Sequence, residues 1–444
     1  MMNRRTRRDF LRNCCALGAA GLATPLTRLG MVTAHAQQAS DYKALVCIFL
    51  FGGNDANNTI VPMDTRYTDY SRMRGPVALG QGILRQAGTT SYGLHPSLAN
   101  VQRLYGRGDA AMVFNVGTLV QPTTKREIEL GTVPLPRNLY SHSDQTQQWQ
   151  TSDPMGGATG WGGRINDIAA TLNSSTLPSG IAVNSGNALF LSGGRTSGVN
   201  VSNSGSFGLE RFGDGNAMDV RMASLQRVLT FDSGLRLVSA ANGVLGQSIR
   251  TAQEINAALE GAPALPVTFP TSSLGQQLAQ VAQLIAVQGS LGMTRQIFFA
   301  GLGGFDNHED LLASHEPLME TLDSAIGAFF DTMDARSATD QVTLFTESEF
   351  NRTGDANATI GSDHAWGGHQ LVFGGAVQGG TYGRFPELVL QGPDDAGDRG
   401  YWIPSVSLDQ YASTLGGWFG VSDDDLRRVF PNLAQFAPQR LGFL

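Results

Sequence analysis

Lysine is almost missing from this chain. Of 31 basic residues only Lys43 and Lys125 are lysines, so arginine carries nearly all the positive charge. That charge is outnumbered by 38 acids, and the formal net charge is -7. An acidic balance argues against a nucleic-acid binder, which needs a basic footprint to meet phosphates. Cysteine is as scarce. Cys14 and Cys15 fall in a leader expected to be removed, which leaves Cys47. One thiol supports neither a disulfide framework nor a thiolate metal site. Cys47 lies in an apolar strand pattern and is expected to be an inert core residue. After the leader, no run approaches the roughly 20 apolar residues of a membrane span. A P-loop, a dinucleotide fingerprint and a G-x-S-x-G elbow are also missing. What remains is ordinary for a globular protein, with 41% hydrophobic and 16% charged residues over 444 positions.

Residues 1–36 read as a targeting segment. Thr6-Arg7-Arg8-Asp9-Phe10-Leu11 is a twin-arginine pattern, a weakly apolar Ala/Gly-rich run follows, and Ala34-His35-Ala36 is an A-x-A cleavage site. The expectation is a periplasmic or secreted protein, with the twin-arginine translocase as its partner during export. That route moves folded chains, which suits a protein that acquires a metal first. The leader holds Arg4, Arg5, Arg7, Arg8, Arg12 and Arg28 against Asp9 alone, so the chain after it is more acidic still.

Four apolar runs alternate with helical patterns. Residues 43–50, 110–116, 294–300 and 342–346 are continuous apolar stretches of strand length, as expected for parallel strands buried on both faces. Chemistry in such a sheet lies beyond the carboxyl ends of the strands. The first run ends in Gly52-Gly53-Asn54-Asp55-Ala56-Asn57, where Asn54 and Asn57 turn polar groups outward and Asp55 is either a metal ligand or a turn or cap residue. The third ends in Gly303-Gly304-Phe305-Asp306-Asn307-His308. An Asp and a His two apart after such a turn can face one ion, and carboxylate with imidazole suits zinc. The fourth runs into Glu347, Glu349, Arg352, Asp355, Asp363, His364 and His369. Ser141, Ser143 and Asp144 are helix N-cap types, and a hydroxyl there either caps or meets an anion. His95 precedes Pro96 and is expected only to contact a helix entry. Residues 173–292 contain no His and read as a loop-rich cap followed by helices at 218–260 and 272–289. Residues 385–390 are expected to form an edge strand, since Pro386 cannot donate to a ladder.

Six histidines follow the leader. Four of them, His142, His308, His364 and His369, sit in polar loops after strands or at helix starts. With Asp55, Asp306 and Asp363 they point to metal-assisted chemistry.

The motifs ALVCIFLFGGNDANN, LHPSL, NLYSHSDQTQQWQTSDP, GWGGRINDI, GGFDNHED, LFTESEFNRT, GSDHAWGGH and VFPNL resemble the bacterial domain-of-unknown-function 1501 family over nearly the whole chain after the leader. That family is related to the alkaline phosphatase–sulfatase superfamily. The resemblance implies one three-layer α/β/α domain over 37–444, with a mostly parallel central sheet and an insertion at 173–292. It implies a metal-dependent hydrolase of small phosphate or sulfate esters, or a non-catalytic relative with a binding or assembly role in the envelope. The cofactor would be a divalent metal, zinc first and calcium or manganese as alternatives. Asp55 would be a first-strand ligand, and Asp306 with His308 a ligand pair. Strand logic adds Glu349, whereas string similarity adds Asp363 and His364; the combination adopted is Glu349 with His364 or His369. The superfamily nucleophile falls near Ser143, although the sulfatase interval places His142 there. Arg164 or Arg352 would hold the anion.

Overall fold

The computed structural model describes residues 41–184, 188–201, 215–231 and 234–444. The expected leader therefore lies outside the described residues. Lys43–Leu444 is one compact unit. Nine of its strands form one sheet: β1 (Lys43–Phe51), β2 (Ala110–Gly117), β3 (Gly180–Ala182), β4 (Val199–Asn200), β5 (Arg295–Gly303), β6 (Val342–Glu347), β7 (Gly368–Phe373), β8 (Gly380–Tyr382) and β9 (Val406–Ser407). The order is β8-β2-β7-β6-β1-β5-β3-β4, with β9 also on β2. All pairs are parallel except those of β7 with β2 and β6.

Successive side chains of β1 must serve opposite faces. Leu45, Cys47 and Phe49 join one core with Trp161 and Ile165 of α3 (Trp161–Ala169) and Tyr411 and Leu415 of α6 (Leu408–Phe419). Ala44, Val46, Ile48 and Leu50 alternate with them and are equally buried. Helices α1 (Ala99–Arg107), α4 (Ser273–Ala286) and α5 (Leu311–Ala335) pack together and against β2 and β5. This double cover explains the unbroken apolar runs. The class is a mixed α/β fold with a mostly parallel sheet.

Two expectations need correction. Residues 385–390 form no strand; the short edge strand is β8, and Phe385 instead packs its ring on Phe114 and His369. The segment 173–292 is more than an added cap. It supplies β3 and β4 at one sheet edge and the buried helix α4, between which Asn216–Thr230 and Arg236–Glu260 form the outlying helical portion.

Buried titratable groups make stability depend on pH in opposing directions. Burial holds His95, His315 and His369 down to about 3. The unfolded chain takes up these protons below about 6.5, so this stability is present above that pH and drains as pH falls. Burial also pushes Asp409, on α6, up to about 7. Its raised value stabilises the fold below the unfolded pKa of about 3.9 and loses that effect as pH rises through 7. From pH 7 to 5 each histidine costs about 2 kcal/mol, and Asp409 returns about 2. Calorimetric stability is expected to fall by several kcal/mol over that interval. The Asp409→Asn variant should fall more steeply and be the more stable form at pH 8; a shallower slope than wild type would refute the assignment.

Candidate metal centre

Because β1, β5 and β6 run parallel in register, their carboxyl ends lie side by side: Phe51 pairs with Gly303, and Phe49 with Glu347. The loops that follow interlock. Gly52 (φ 114°) passes so close to the next loop that a Cβ would meet the Asp306 nitrogen at 2.4 Å. Only glycine is tolerated there. That approach seats Asp306 in front of the strand ends.

Three side chains, His142, Asp306 and His364, offer ligand atoms that all lie within 4.8 Å of one another, and His308 adjoins two of them. The Asp306 Oδ1 lies 2.9 Å from His308 Nε2, 3.3 Å from His364 Nε2 and 3.4 Å from His142 Nε2. His308 and His364 face each other through Nε2 at 3.1 Å. The far nitrogen of every ring is engaged. His142 Nδ1 is 2.9 Å from Glu349 Oε1, His308 Nδ1 is 3.0 Å from Asp363 Oδ1, and His364 Nδ1 is 2.8 Å from the Tyr140 carbonyl. His142 enters as the first residue of α2 (His142–Thr151), which Ser141 caps by accepting from the Asp144 amide. The Phe350 ring lies beneath, 4.7 Å from His364 and 4.8 Å from His142 by ring centres.

The electrostatics call for a cation. A carboxylate or carbonyl oxygen only accepts, so each Nδ1 must donate. A neutral ring then offers a lone pair at Nε2, and three such lone pairs face Asp306 Oδ1 and each other. Only added positive charge, as protons or a metal ion, relieves that arrangement. Arg352 supplies part of it, donating from Nη1 to Asp306 Oδ1 at 2.8 Å. His142 Nε2 is buried and has no hydrogen-bond partner. Bonds of about 2.0–2.1 Å at tetrahedral angles would hold donors roughly 3.3 Å apart. The separations of 3.3 and 3.4 Å from Asp306 Oδ1 to His364 and His142 Nε2 lie close to that value. His142, Asp306 and His364 thus form a candidate metal site. The Glu349 hydrogen bond raises the His142 pKa, whereas burial lowers that of His364. Partial burial would raise Asp306, but the hydrogen bond and charge of Arg352 outweigh it, and its pKa is lowered. The Asp306 and His308 side chains are 47% and 45% exposed, so one side of the cluster faces solvent.

Of the residues expected at the site, the structure brings Asp306, His308, His364 and His142 together. Glu349 and Asp363 sit one layer behind. The rest are corrections. Asp55 is fully buried, with Oδ2 ion-paired to Arg74, and stands apart from the cluster. His369 lies within β7, where Nδ1 accepts from the Asn115 amide at 3.1 Å and the ring packs between Phe114 and Phe385. Ser143 is exposed and shares its hydroxyl with Ser141 at 3.2 Å. Arg164 donates to the carbonyls of Thr151 and Val429, bracing α2 and the C-terminal region. Arg352 is buried against Asp306 and the Ser362 carbonyl, so neither arginine is free to clamp an anion. Asn54 accepts from His315 Nε2 at 3.0 Å, and Asn57 joins the Arg352 carbonyl to the Trp402 indole. Sequence reasoning missed Tyr140, which contributes only a carbonyl. Its φ of 73° is costly for an aromatic residue. It also missed Arg399, which pairs with Asp363 at 2.5 Å and, with further help from Asn357 and His308, overcomes the effect of burial to hold that carboxyl at about 2.

Fold and site together define a mostly parallel α/β protein with a cluster of His142, Asp306 and His364, flanked by His308, at its strand ends. The chain belongs to the family described as protein of unknown function (DUF1501), whose model matches residues 42–395. No curated protein matches it. Solved structures with which it overlaps include the PsFucS1 sulfatase from Pseudoalteromonas sp., at 10% identity over 88% of this chain and 70% of that one, with a TM-score of 0.35. A protein in the alkaline phosphatase superfamily from Vibrio parahaemolyticus overlaps at 10% identity over 77% and 62%, with a TM-score of 0.30.

Proposed function

We propose that this protein is an exported hydrolase of small phosphate or sulfate esters that works with one divalent metal ion, zinc by donor set. His142, His308, His364 and Asp306 would hold the ion. The observation that carries the reading is the cluster of His142, Asp306 and His364, with His308 Nε2 alongside at 2.9 Å from Asp306. Three imidazoles and one carboxylate suit zinc, whereas calcium demands an oxygen cage. Manganese fits less well than zinc because the set is rich in nitrogen. When bound, such an ion supplies Lewis acidity and lowers the pKa of a water.

The chain's own groups do the rest. Arg352 offsets the charge of Asp306 and fixes its rotamer. The Phe350 ring excludes water from below, which strengthens the electrostatics above it. Glu349 keeps a proton on His142 Nδ1, so that ring presents its lone pair outward. Since Arg164 and Arg352 are committed elsewhere, an anionic ester would be oriented from the open side, where Ser143 is exposed beside His142. The exposed Ser143 hydroxyl, hydrogen-bonded to Ser141 rather than to a histidine, favours a water over a serine as nucleophile.

Elemental analysis of purified protein is expected to find close to one zinc per chain. Hydrolysis of an aryl phosphate or aryl sulfate should be lost on chelation and return with zinc, and Ser143→Ala should retain it. Metal without hydrolysis would favour the alternative, a non-catalytic envelope protein with a binding or assembly role. Protein with no metal would sink both the centre and the hydrolase.

A further inference from the structure

We infer that Glu349, Asp363 and the Tyr140 carbonyl form an outer layer that fixes all three histidines in the Nδ1–H tautomer, and that Glu349 is a positioning residue rather than a ligand. This rests on the metal reading above. It reassigns the carboxylate that strand logic would place on the ion.

Three observations carry it. Glu349 is 2% exposed, and its Oε1 already accepts two hydrogen bonds, from the Gly52 amide at 2.7 Å and from His142 Nδ1 at 2.9 Å. The two ring nitrogens of an imidazole point apart, so a group bound at Nδ1 lies behind the ring that aims Nε2 at the ion. Each of the three outer partners can only accept, which assigns the proton at every ring without ambiguity. Glu349 and Asp363 lie well apart on the connection between β6 and β7, and Tyr140 lies in the loop before α2. No shared local turn creates the pattern three times.

The outer layer is itself braced. Asp363 accepts from Arg399 and, at 3.2 Å, from Asn357. Tyr140 turns its carbonyl toward His364 while its amide donates to Gln145 Oε1 at 2.6 Å. Glu349 is tied to the β1 loop through Gly52, the glycine whose close approach seats Asp306. One carboxylate therefore sets the aim of His142 and anchors the loop that meets the aspartate.

Such outer partners typically contribute 10–100-fold to metal affinity. The test is cobalt(II) binding by the full chain, read by the ligand-field spectrum and by chelator competition, with apo-protein melting as the folding control. Glu349→Gln keeps size and burial but presents an amide to two donors. It is expected to retain one cobalt with the wild-type ligand count, bind it 10–100-fold more weakly, and show a shifted spectrum. Asp363→Asn, on another arm, should behave alike and serves if Glu349→Gln fails to fold. His142→Ala is expected to change the ligand count itself. Unchanged affinity and spectrum in both outer variants would overturn the inference and leave the metal reading intact. So would a Glu349→Gln spectrum that reports a lost ligand, because Glu349 would then bind the ion directly. Wild-type protein that takes up no cobalt overturns the metal reading, and this inference with it.

Discussion

Replacing His364 with alanine is expected to strip the protein of its cation while leaving it folded. Structural zinc binding is worth about 10–16 kcal/mol at neutral pH. Shared over four donors, that is roughly 3 kcal/mol each, or on the order of a hundredfold to a thousandfold in affinity. Any hydrolysis should fall in step at low metal. The fold should not suffer, since the His364 side chain is 24% exposed and belongs to a loop beyond the sheet. The Tyr140 carbonyl it leaves can take a water instead. His369 provides the contrast, five residues along the same GSDHAWGGH string. It is 3% exposed and packed between two phenylalanine rings. His369→Ala should cost about 2–4 kcal/mol in urea unfolding through the cavity it opens, yet bind metal normally. If the two variants exchange these phenotypes, the centre has been assigned to the wrong histidines.

That pair also shows how far the sequence was legible. The strands β1, β2, β5 and β6 could be read because a strand covered on both faces has no polar alternation to hide it. Strands β3 and β4, of three and two residues, are too short to carry a period. At the site, strand ends pointed to the loops that carry Asp306 and His308, and string similarity pointed to His364; the structure brings the three together. Direction was not legible. His364 and His369 look alike in sequence, but β7 begins at Gly368 and carries His369 into the sheet. Glu349 stands where a ligand would, but its carboxylate faces the back of a ring. A residue type states what an atom can do, and only packing states what it faces. Tyr140 left no signal at all, because every residue has a carbonyl.

Removing Arg74 should be strongly destabilising, and it decides the role of Asp55. The helix Tyr67–Arg74 buries Tyr70, Met73 and Arg74. Arg74 is fully buried, ion-paired with Asp55, and donates to Asn58 Oδ1 at 3.1 Å and to the Thr353 and Gly354 carbonyls at 3.0 and 3.2 Å. Arg74→Met would leave a buried carboxylate without its counter-charge, a loss of about 3–5 kcal/mol, and strand two carbonyls besides. Asp55→Asn alone keeps the arginine's other acceptors and should cost less. The double variant should recover part of the Arg74→Met loss, because the stranded charge is gone. A double-mutant cycle in urea measures that coupling. The same proteins report on metal. Arg74 pins the Asp55 loop to the 353–354 turn, just past Arg352, so Arg74→Met should loosen the centre and weaken the ion. Asp55→Asn should leave it bound at full stoichiometry. If Asp55→Asn instead empties the site while stability holds, Asp55 is a ligand after all, and Arg74 is a stand-in that the ion displaces.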